Sequence, residues 1–114
     1  MGANKYIKGF LEDIVLQLIQ ENGKMYGYEL TQKVKEITSG ELSFTEGALY
    51  PVLHRLEGKG LLEVSFENVE GRTRKYYSLT PKGGKNIIDA QEGLSQFLNG
   101  LQRVFKLKPT IHES

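Results

Sequence analysis

The sequence predicts a mainly helical fold with one small β-hairpin, which places it in the α+β class. In the first 60 residues, apolar side chains recur in three separate segments at the spacing of amphipathic helices. Between residues 62 and 79, apolar and polar side chains alternate, as in a half-buried hairpin. From residue 80 to residue 108 the helical spacing returns and lasts longer than before. A chain of 114 residues fits one small domain with a single core.

The first two predicted helices are defined by apolar stripes and by glycines at their ends. One stripe comprises Leu11, Ile14, Val15 and Leu18, and the other, which is weaker, comprises Leu30, Val34 and Ile37. Asn22 and Gly23 after the first stripe are typical of a helix C-terminus. Gly40 can adopt the left-handed conformation that closes the second helix. We therefore expect a longer and then a shorter helix before residue 41.

The third predicted helix contains a proline within its apolar stripe. The stripe consists of Leu49, Val52, Leu53 and Leu56. Ser43 and Glu46 have the spacing of a capping box, which predicts that the helix begins at Ser43, and the glycines at 58 and 60 predict its end. Because Pro51 lacks the N–H that would bond the Gly47 carbonyl, at a cost of about 3 kcal/mol in an ideal helix, we expect a bend there.

The face of this helix opposite its apolar stripe has an unusual composition. Gly47, Tyr50, Pro51 and His54 point away from the stripe, and Arg55 lies on the flank. A merely solvated helix face would be rich in Lys, Glu and Gln. This face has little charge and offers small, aromatic and imidazole groups, so it could approach a partner closely, although His54 alone could be an ordinary surface histidine.

The predicted hairpin carries basic residues on its second strand. The first strand alternates Leu62, Val64 and Phe66 with polar residues, and the returning strand places Tyr77 and Leu79 on the same side. Arg72, Arg74 and Tyr76 share one side of the second strand, and Lys75 lies on the other. Arginine suits phosphate groups and narrow minor grooves. Basic residues also protect a solvated edge strand from aggregation, so this strand alone does not decide between the two interpretations.

The last predicted helix begins with Thr80 as N-cap and Pro81 as first residue, and it continues towards Lys108. Its apolar stripe repeats for nearly three heptads and comprises Ile87, Ala90, Leu94, Phe97, Leu98, Leu101, Val104 and Phe105. A helix of this length overhangs a small domain, so we predict that a second copy of the chain covers the stripe and forms a homodimer. The alternative is a helix that folds back onto its own domain.

Three short helices followed by a hairpin form the winged helix-turn-helix arrangement, in which the third helix enters the major groove of double-stranded DNA and the hairpin, or wing, reaches the neighbouring backbone or minor groove. The sequence thus predicts a DNA-binding domain over residues 1–79, a dimerisation helix over residues 80–108 and a tail over residues 109–114. In this arrangement, a bend at Pro51 either fits the third helix to the groove or is tolerated because it serves core packing.

Three stretches, YGYEL, GALYPVLHRLEGKGLLE and GRTRKYYSLTPKG, give the chain a specific resemblance to the PadR family of bacterial transcriptional regulators, in particular to the short subfamily with a single C-terminal helix. The resemblance covers roughly residues 10 to 106. It implies a homodimeric repressor that binds an inverted repeat and is released by a small effector, often a phenolic acid or a drug-like compound.

The resemblance also implies roles for individual residues. Matched to the family's recognition helix are Thr45, Tyr50, Pro51, His54 and Arg55, and matched to its wing are Arg72, Arg74, Lys75 and Tyr76. The implied effector contacts are Leu94, Phe97 and Leu98, with help from Tyr6 and Phe10. The chain contains no Trp, so the tryptophan-walled pocket of multidrug-sensing relatives is absent.

Composition excludes several other classes. The chain has no Cys and two His, without the spacing of a metal site or the motif of a known catalytic centre, so we predict neither an enzyme nor a metal or cofactor. It has no apolar run of about 20 residues and no apolar N-terminal signal, so we expect a cytoplasmic protein without membrane contact.

Charge leaves one alternative function open. A formal net charge of +1 does not by itself indicate nucleic-acid binding. The region from Arg72 to Ile88, however, contains five basic residues and no acidic one. The alternative is a winged-helix module that binds another protein and never contacts DNA.

Overall fold

A computed structural model describes residues 6–107 of the chain. A short 3-10 turn (Lys8–Phe10) leads into helix α1 (Leu11–Asn22), which is followed by α2 (Gly27–Ile37) and α3 (Glu46–Gly58). Strands β1 (Leu62–Val69) and β2 (Arg72–Leu79) pair antiparallel, and α4 (Pro81–Phe105) completes the order. This arrangement confirms the predicted winged helix-turn-helix fold with a long C-terminal helix.

The helix ends of the first half follow the predicted glycines. Gly23 has φ +79° and donates its N–H to the Ile19 carbonyl at 2.8 Å. Gly40 has φ +83° and donates to the Lys35 carbonyl at 2.8 Å. Both glycines adopt the positive φ that closes a helix without strain from a Cβ.

The predicted start of α3 at Ser43 is wrong by three residues. The helix begins at Glu46, and Thr45 is the N-cap residue, whose hydroxyl accepts the Ala48 N–H at 3.1 Å. The physical reason lies in Phe44, whose buried side chain belongs to the core and holds the residues before the helix against the domain. The helix then continues through Pro51 without interruption to Gly58, as its glycine signal predicted.

The core lies between the three short helices and the inner side of the hairpin. The predicted stripe of α3 is buried throughout, and the most deeply buried side chains are Val15, Leu16, Ile19, Leu30, Leu49, Leu53, Leu56 and Tyr77. Strand β1 pairs in register with β2, from Leu62 opposite Leu79 to Val69 opposite Arg72. Towards the tip the hairpin leaves the core, and Phe66 is exposed although its alternation matches that of Leu62.

The segment between α1 and α2 is attached to the hairpin through one residue. Met25 forms an isolated antiparallel bridge with Tyr77, with N–H···O distances of 3.0 Å and 2.9 Å in the two directions. This bridge extends the two-stranded hairpin by a single residue and fixes the start of α2 beside β2.

Helix α4 is packed at its beginning and free towards its end. The Thr80 hydroxyl accepts the Gly83 N–H at 3.0 Å, and Pro81 is the first helical residue, as predicted. The helix has 25 residues, which corresponds to about 38 Å, in a molecule whose longest dimension is 52 Å. It ends at Phe105, where Lys106 adopts a left-handed φ of +55°; Lys108 and the predicted tail lie outside the described residues. Over residues 6–107, no helix is both long and apolar enough to cross a membrane.

Candidate nucleic-acid interface

The outer face of α3 is accessible, as its composition suggested. The residues matched to the recognition helix are all exposed: Thr45, Tyr50, Pro51, His54 and Arg55. Their accessibility depends on the opposite stripe, because burial of Leu49, Leu53 and Leu56 fixes the rotation of the helix. The face available to a partner is therefore determined by the core.

Tyr50 contacts α2 as well as solvent. Its side chain is 40% exposed, and its hydroxyl lies 3.5 Å from Glu46 Oε2. A Cβ at Gly27 would lie 2.7 Å from this hydroxyl, so glycine at the start of α2 allows the phenol to lie against that helix. Partial burial, and then the Glu46 carboxylate, raise the pKa of Tyr50, so it stays protonated and can both donate and accept hydrogen bonds.

Arg55 forms an ion pair with Glu12 of the same chain, which the sequence did not indicate. Its Nε lies 3.2 Å from Glu12 Oε2, and Lys59 Nζ lies 3.0 Å from Glu12 Oε1. The hydrogen bond from Lys59 is the main cause that lowers the pKa of Glu12, with a further contribution from Arg55. Two cations share one carboxylate, so this edge of α3 keeps a net positive charge, but Arg55 is not freely available.

The two wing arginines differ in their surroundings. Arg72 is exposed near the hairpin tip. The Arg74 guanidinium lies 4.4 Å from the centre of the Tyr26 ring, and the Tyr26 and Tyr76 rings pack edge to face with centroids 5.5 Å apart. Lys24 Nζ lies 5.3 Å from the centre of the Tyr76 ring and is ion-paired with Glu67. Arg72 is therefore exposed, whereas the Arg74 guanidinium is stacked on the Tyr26 ring.

Lys75 lies on the opposite side of β2, in agreement with the strand alternation. Its Nζ is 5.3 Å from the centre of the Tyr77 ring, whose phenol is almost completely buried. The lysine stem therefore covers the core side of the wing.

Sequence analysis did not identify Tyr26 and Lys24 as part of this surface. Tyr26 stands in the YGYEL stretch, but it is separated from Arg74 by 48 positions, and no local periodicity indicates so distant a contact. The sequence offered only an indirect indication of this contact. Aromatic residues flank Gly27, and a later strand is rich in arginine, with which aromatic rings commonly stack.

The apolar stripe of α4 is only partly covered by its own chain. Ile87 is buried in the core, and Ala90, Leu94 and Leu101 are partly buried. Towards the C-terminus the exposed fractions are 50% for Phe97, 49% for Leu98, 73% for Val104 and 65% for Phe105. One edge of the stripe contacts the N-terminal turn, where the Phe10 and Phe97 rings lie 5.8 Å apart. The distal stripe thus remains open.

A cavity of about 570 Å³ lies where α4 passes α1 and the end of α2. Four of the five predicted effector residues line it, namely Tyr6, Phe10, Leu94 and Leu98. The fifth, Phe97, is not among the lining residues; its ring lies 5.8 Å from that of Phe10. The walls are mainly apolar, and Asp13, whose pKa is raised by burial and by the nearby Glu12, is the acidic side chain in the lining. Such a cavity suits an apolar or aromatic molecule.

Within residues 6–107, His, Asp and Glu side chains form no group of three that could hold a metal ion.

The fold and this exposed surface define a winged-helix protein, and comparison with known proteins identifies its family. The model of the Transcriptional regulator PadR-like family matches residues 15–89. The transcriptional regulator Rv3488 of Mycobacterium tuberculosis is 35% identical over 75 residues, which cover 66% of this chain and 67% of that protein. The chain belongs to the PadR-like family of transcriptional regulators.

Solved structures support the same fold. A transcriptional regulator from Clostridium thermocellum superposes with a TM-score of 0.78 at 28% identity, covering 87% of this chain and 93% of that one. Bacillus subtilis PadR in complex with operator DNA superposes with a TM-score of 0.62 at 21% identity, covering 91% of this chain and 50% of that one. The second likeness concerns the fold alone.

Proposed function

We propose that this chain is a homodimeric repressor that binds an inverted-repeat operator and is released by a small aromatic effector. The observation that carries the proposal is the exposed, weakly charged face of α3 beside an arginine-bearing wing. The operator complex of Bacillus subtilis PadR supports it by analogy of fold. A DNA-binding role also implies that the protein acts in the cytoplasm of a bacterial cell.

In this proposal, α3 lies in the major groove. Base edges or the adjacent backbone are contacted by Thr45, Tyr50, Pro51 and His54. Arg55, at the flank, contacts the DNA after it leaves Glu12. The wing residues Arg72, Arg74, Lys75 and Tyr76 reach phosphate groups or the minor groove next to it. Phosphate contacts supply affinity, and α3 supplies sequence preference.

Each part of the chain then has one task. Residues 1–79 bind DNA, and residues 80–108 hold two copies together. The open distal stripe of α4 supports dimerisation, because an apolar surface of this kind is stabilised when a second copy covers it. Two copies related by a two-fold axis would present two α3 helices to successive major grooves, about 34 to 36 Å apart.

The proposed effector site is the cavity beside α4. A ligand there contacts α1 and α4 at once, so it could change the angle between the DNA-binding part and the dimerisation helix. The apolar walls favour an aromatic compound, and the absence of Trp argues against the stacking that flat drugs use in some relatives.

The wing assignment is tested by replacing Arg72 and Arg74 with Ala. Affinity for all duplexes should fall, and the slope of log affinity against log salt should become shallower by roughly two, because about 0.9 counterions are released per phosphate contact. Lys35→Ala, which removes an exposed charge on α2, should leave the slope unchanged. An unaltered slope in the double variant contradicts the wing assignment.

Measurements of sequence preference distinguish the role of α3 from that of the wing. Tyr50→Ala or His54→Ala should weaken binding to the preferred site more than binding to unrelated DNA. A wild-type chain without salt-dependent affinity for any duplex would instead favour the protein-interaction module.

A further inference from the structure

The loop between α1 and α2 contacts the wing through two packed aromatic rings with a cation at each end. The series runs Arg74, Tyr26, Tyr76 and Lys24, with successive separations of 4.4 Å, 5.5 Å and 5.3 Å. It joins the start of α2 to the outer side of β2. No residue of this loop belongs to the predicted DNA-binding set.

The backbone of the loop is held on both sides of Tyr26. The preceding residue, Met25, is paired with Tyr77 in both directions, and the Tyr26 N–H donates to Glu29 Oε1 at 3.1 Å. Lys24 is tied to β1 by its ion pair with Glu67, which stands opposite Arg74 in the hairpin register. The Tyr26 ring is therefore presented to the wing from a fixed support.

Arg74 is held by an aromatic ring, whereas Arg55 is held by an acidic side chain. Arg55 is held by a carboxylate, which offsets part of its charge and occupies its Nε donor. The Tyr26 ring lies 4.4 Å from the Arg74 guanidinium and carries no charge that would offset it, so N–H donors of Arg74 remain for a phosphate. The pKa of Arg74 is raised, chiefly through the Tyr76 side chain, so the group stays charged. The ring thus orders the Arg74 side chain without neutralising its charge, which suits a group that must bind a phosphate.

We propose that Tyr26 is a positioning residue of the wing, which stacks on Arg74 and orients its guanidinium towards the DNA backbone before binding. The proposal deepens the proposed function and rests on it. It assigns to the start of α2 a role in setting the orientation of the wing, in addition to its place in the helix-turn-helix.

The first test is a double-mutant cycle measured by DNA affinity. Tyr26→Leu should weaken binding by about tenfold, whereas Tyr26→Phe, which keeps the ring, should stay within about twofold of wild type. In the Arg74→Ala background, Tyr26→Leu should cause no further loss. Tyr28→Leu, at a position 53% exposed on the same turn, is the matched control and should bind like its parent. An equal loss from Tyr26→Leu in both backgrounds overturns the proposal.

The second test needs no DNA. In the free protein, stacking should shift the NMR signal of the Arg74 side-chain Hε upfield; Tyr26→Leu should abolish this shift and Tyr26→Phe should retain it. A shift that survives in Tyr26→Leu overturns the positioning role. If wild type binds no duplex, the proposed function fails, and this signal still decides whether Tyr26 orients Arg74.

A further pair of variants covers the case in which Tyr26→Leu does not fold. Arg74→Lys keeps the charge on the exposed strand but removes the planar group that stacks. It should weaken DNA binding several-fold, whereas Arg72→Lys, at the unstacked position, should have a smaller effect. Equal effects of the two substitutions overturn the proposal.

Discussion

At the scale of single residues, the surface of α3 is shaped by contacts within the chain. Tyr50 is positioned by Gly27, and Arg55 is held by Glu12 across the α1–α3 junction. Helical projection from the sequence placed Tyr50 on the outer face and Arg55 on its flank, and both side chains are exposed. It could not show their partners, because Glu12 and Arg55 are 43 positions apart and meet only when the core packs.

The carboxylate of Glu12 should give a small pH-dependent contribution to stability. Because its folded pKa lies below the ordinary 4.5, this contribution is present above pH 4.5 and is lost as pH falls through the folded pKa. Glu12→Gln should therefore lower the free energy of unfolding at pH 7 by about 0.5 kcal/mol, a value reduced for solvent screening. It should also flatten the acid limb, which is the fall of the free energy of unfolding as the pH drops below 4.5. Urea unfolding between pH 3 and pH 7 measures this, with Glu57→Gln on the exposed side of α3 as control. An identical acid limb in wild type and Glu12→Gln would contradict the assignment.

At the scale of elements, the sequence predicted type and order well and boundaries less well. Periodicity identified every helix and strand named above, because each buries one face of a regular structure. The start of α3 was missed because Thr45 and Ser43 are both good cap residues, and only the burial of Phe44 decides between them. The stacked wing was missed for the same kind of reason, since Tyr26 and Arg74 meet through tertiary packing.

The junction between the hairpin and α4 depends on one glycine. A Cβ at Gly83 would lie 2.1 Å from the Leu61 carbonyl oxygen and 3.0 Å from Leu79 Cδ2, so backbone would have to move. Gly83→Ala should lower the free energy of unfolding by about 2 kcal/mol or more. Gly84→Ala is the matched control, because no atom beyond the helix lies within 4 Å of its added Cβ, and it should raise stability by about 0.5 to 1 kcal/mol. Similar unfolding midpoints for the two variants would contradict the close packing of α4.

At the scale of the whole molecule, the globular part and the overhanging helix differ in whether a single chain buries their apolar side chains. The first has a closed core, whereas the distal stripe of α4 is open in a single chain. The heptad spacing predicted this stripe, although Ile87 at its start lies in the core of its own chain. The sequence could not show where the domain stops covering the helix, because that depends on the angle at which α4 leaves the hairpin.

In the proposed assembly, two chains joined through α4 bind one duplex. The most direct test is the mass, by light scattering, of the chain alone and with a duplex recovered by selection from random DNA. We expect twice the 12.9 kDa chain mass alone and two chains per inverted repeat, with Leu101→Asp reduced to a single chain and Asn99→Asp, on the opposite face, unchanged. A wild-type chain that remains at 12.9 kDa and leaves every duplex unbound at low salt would contradict the account.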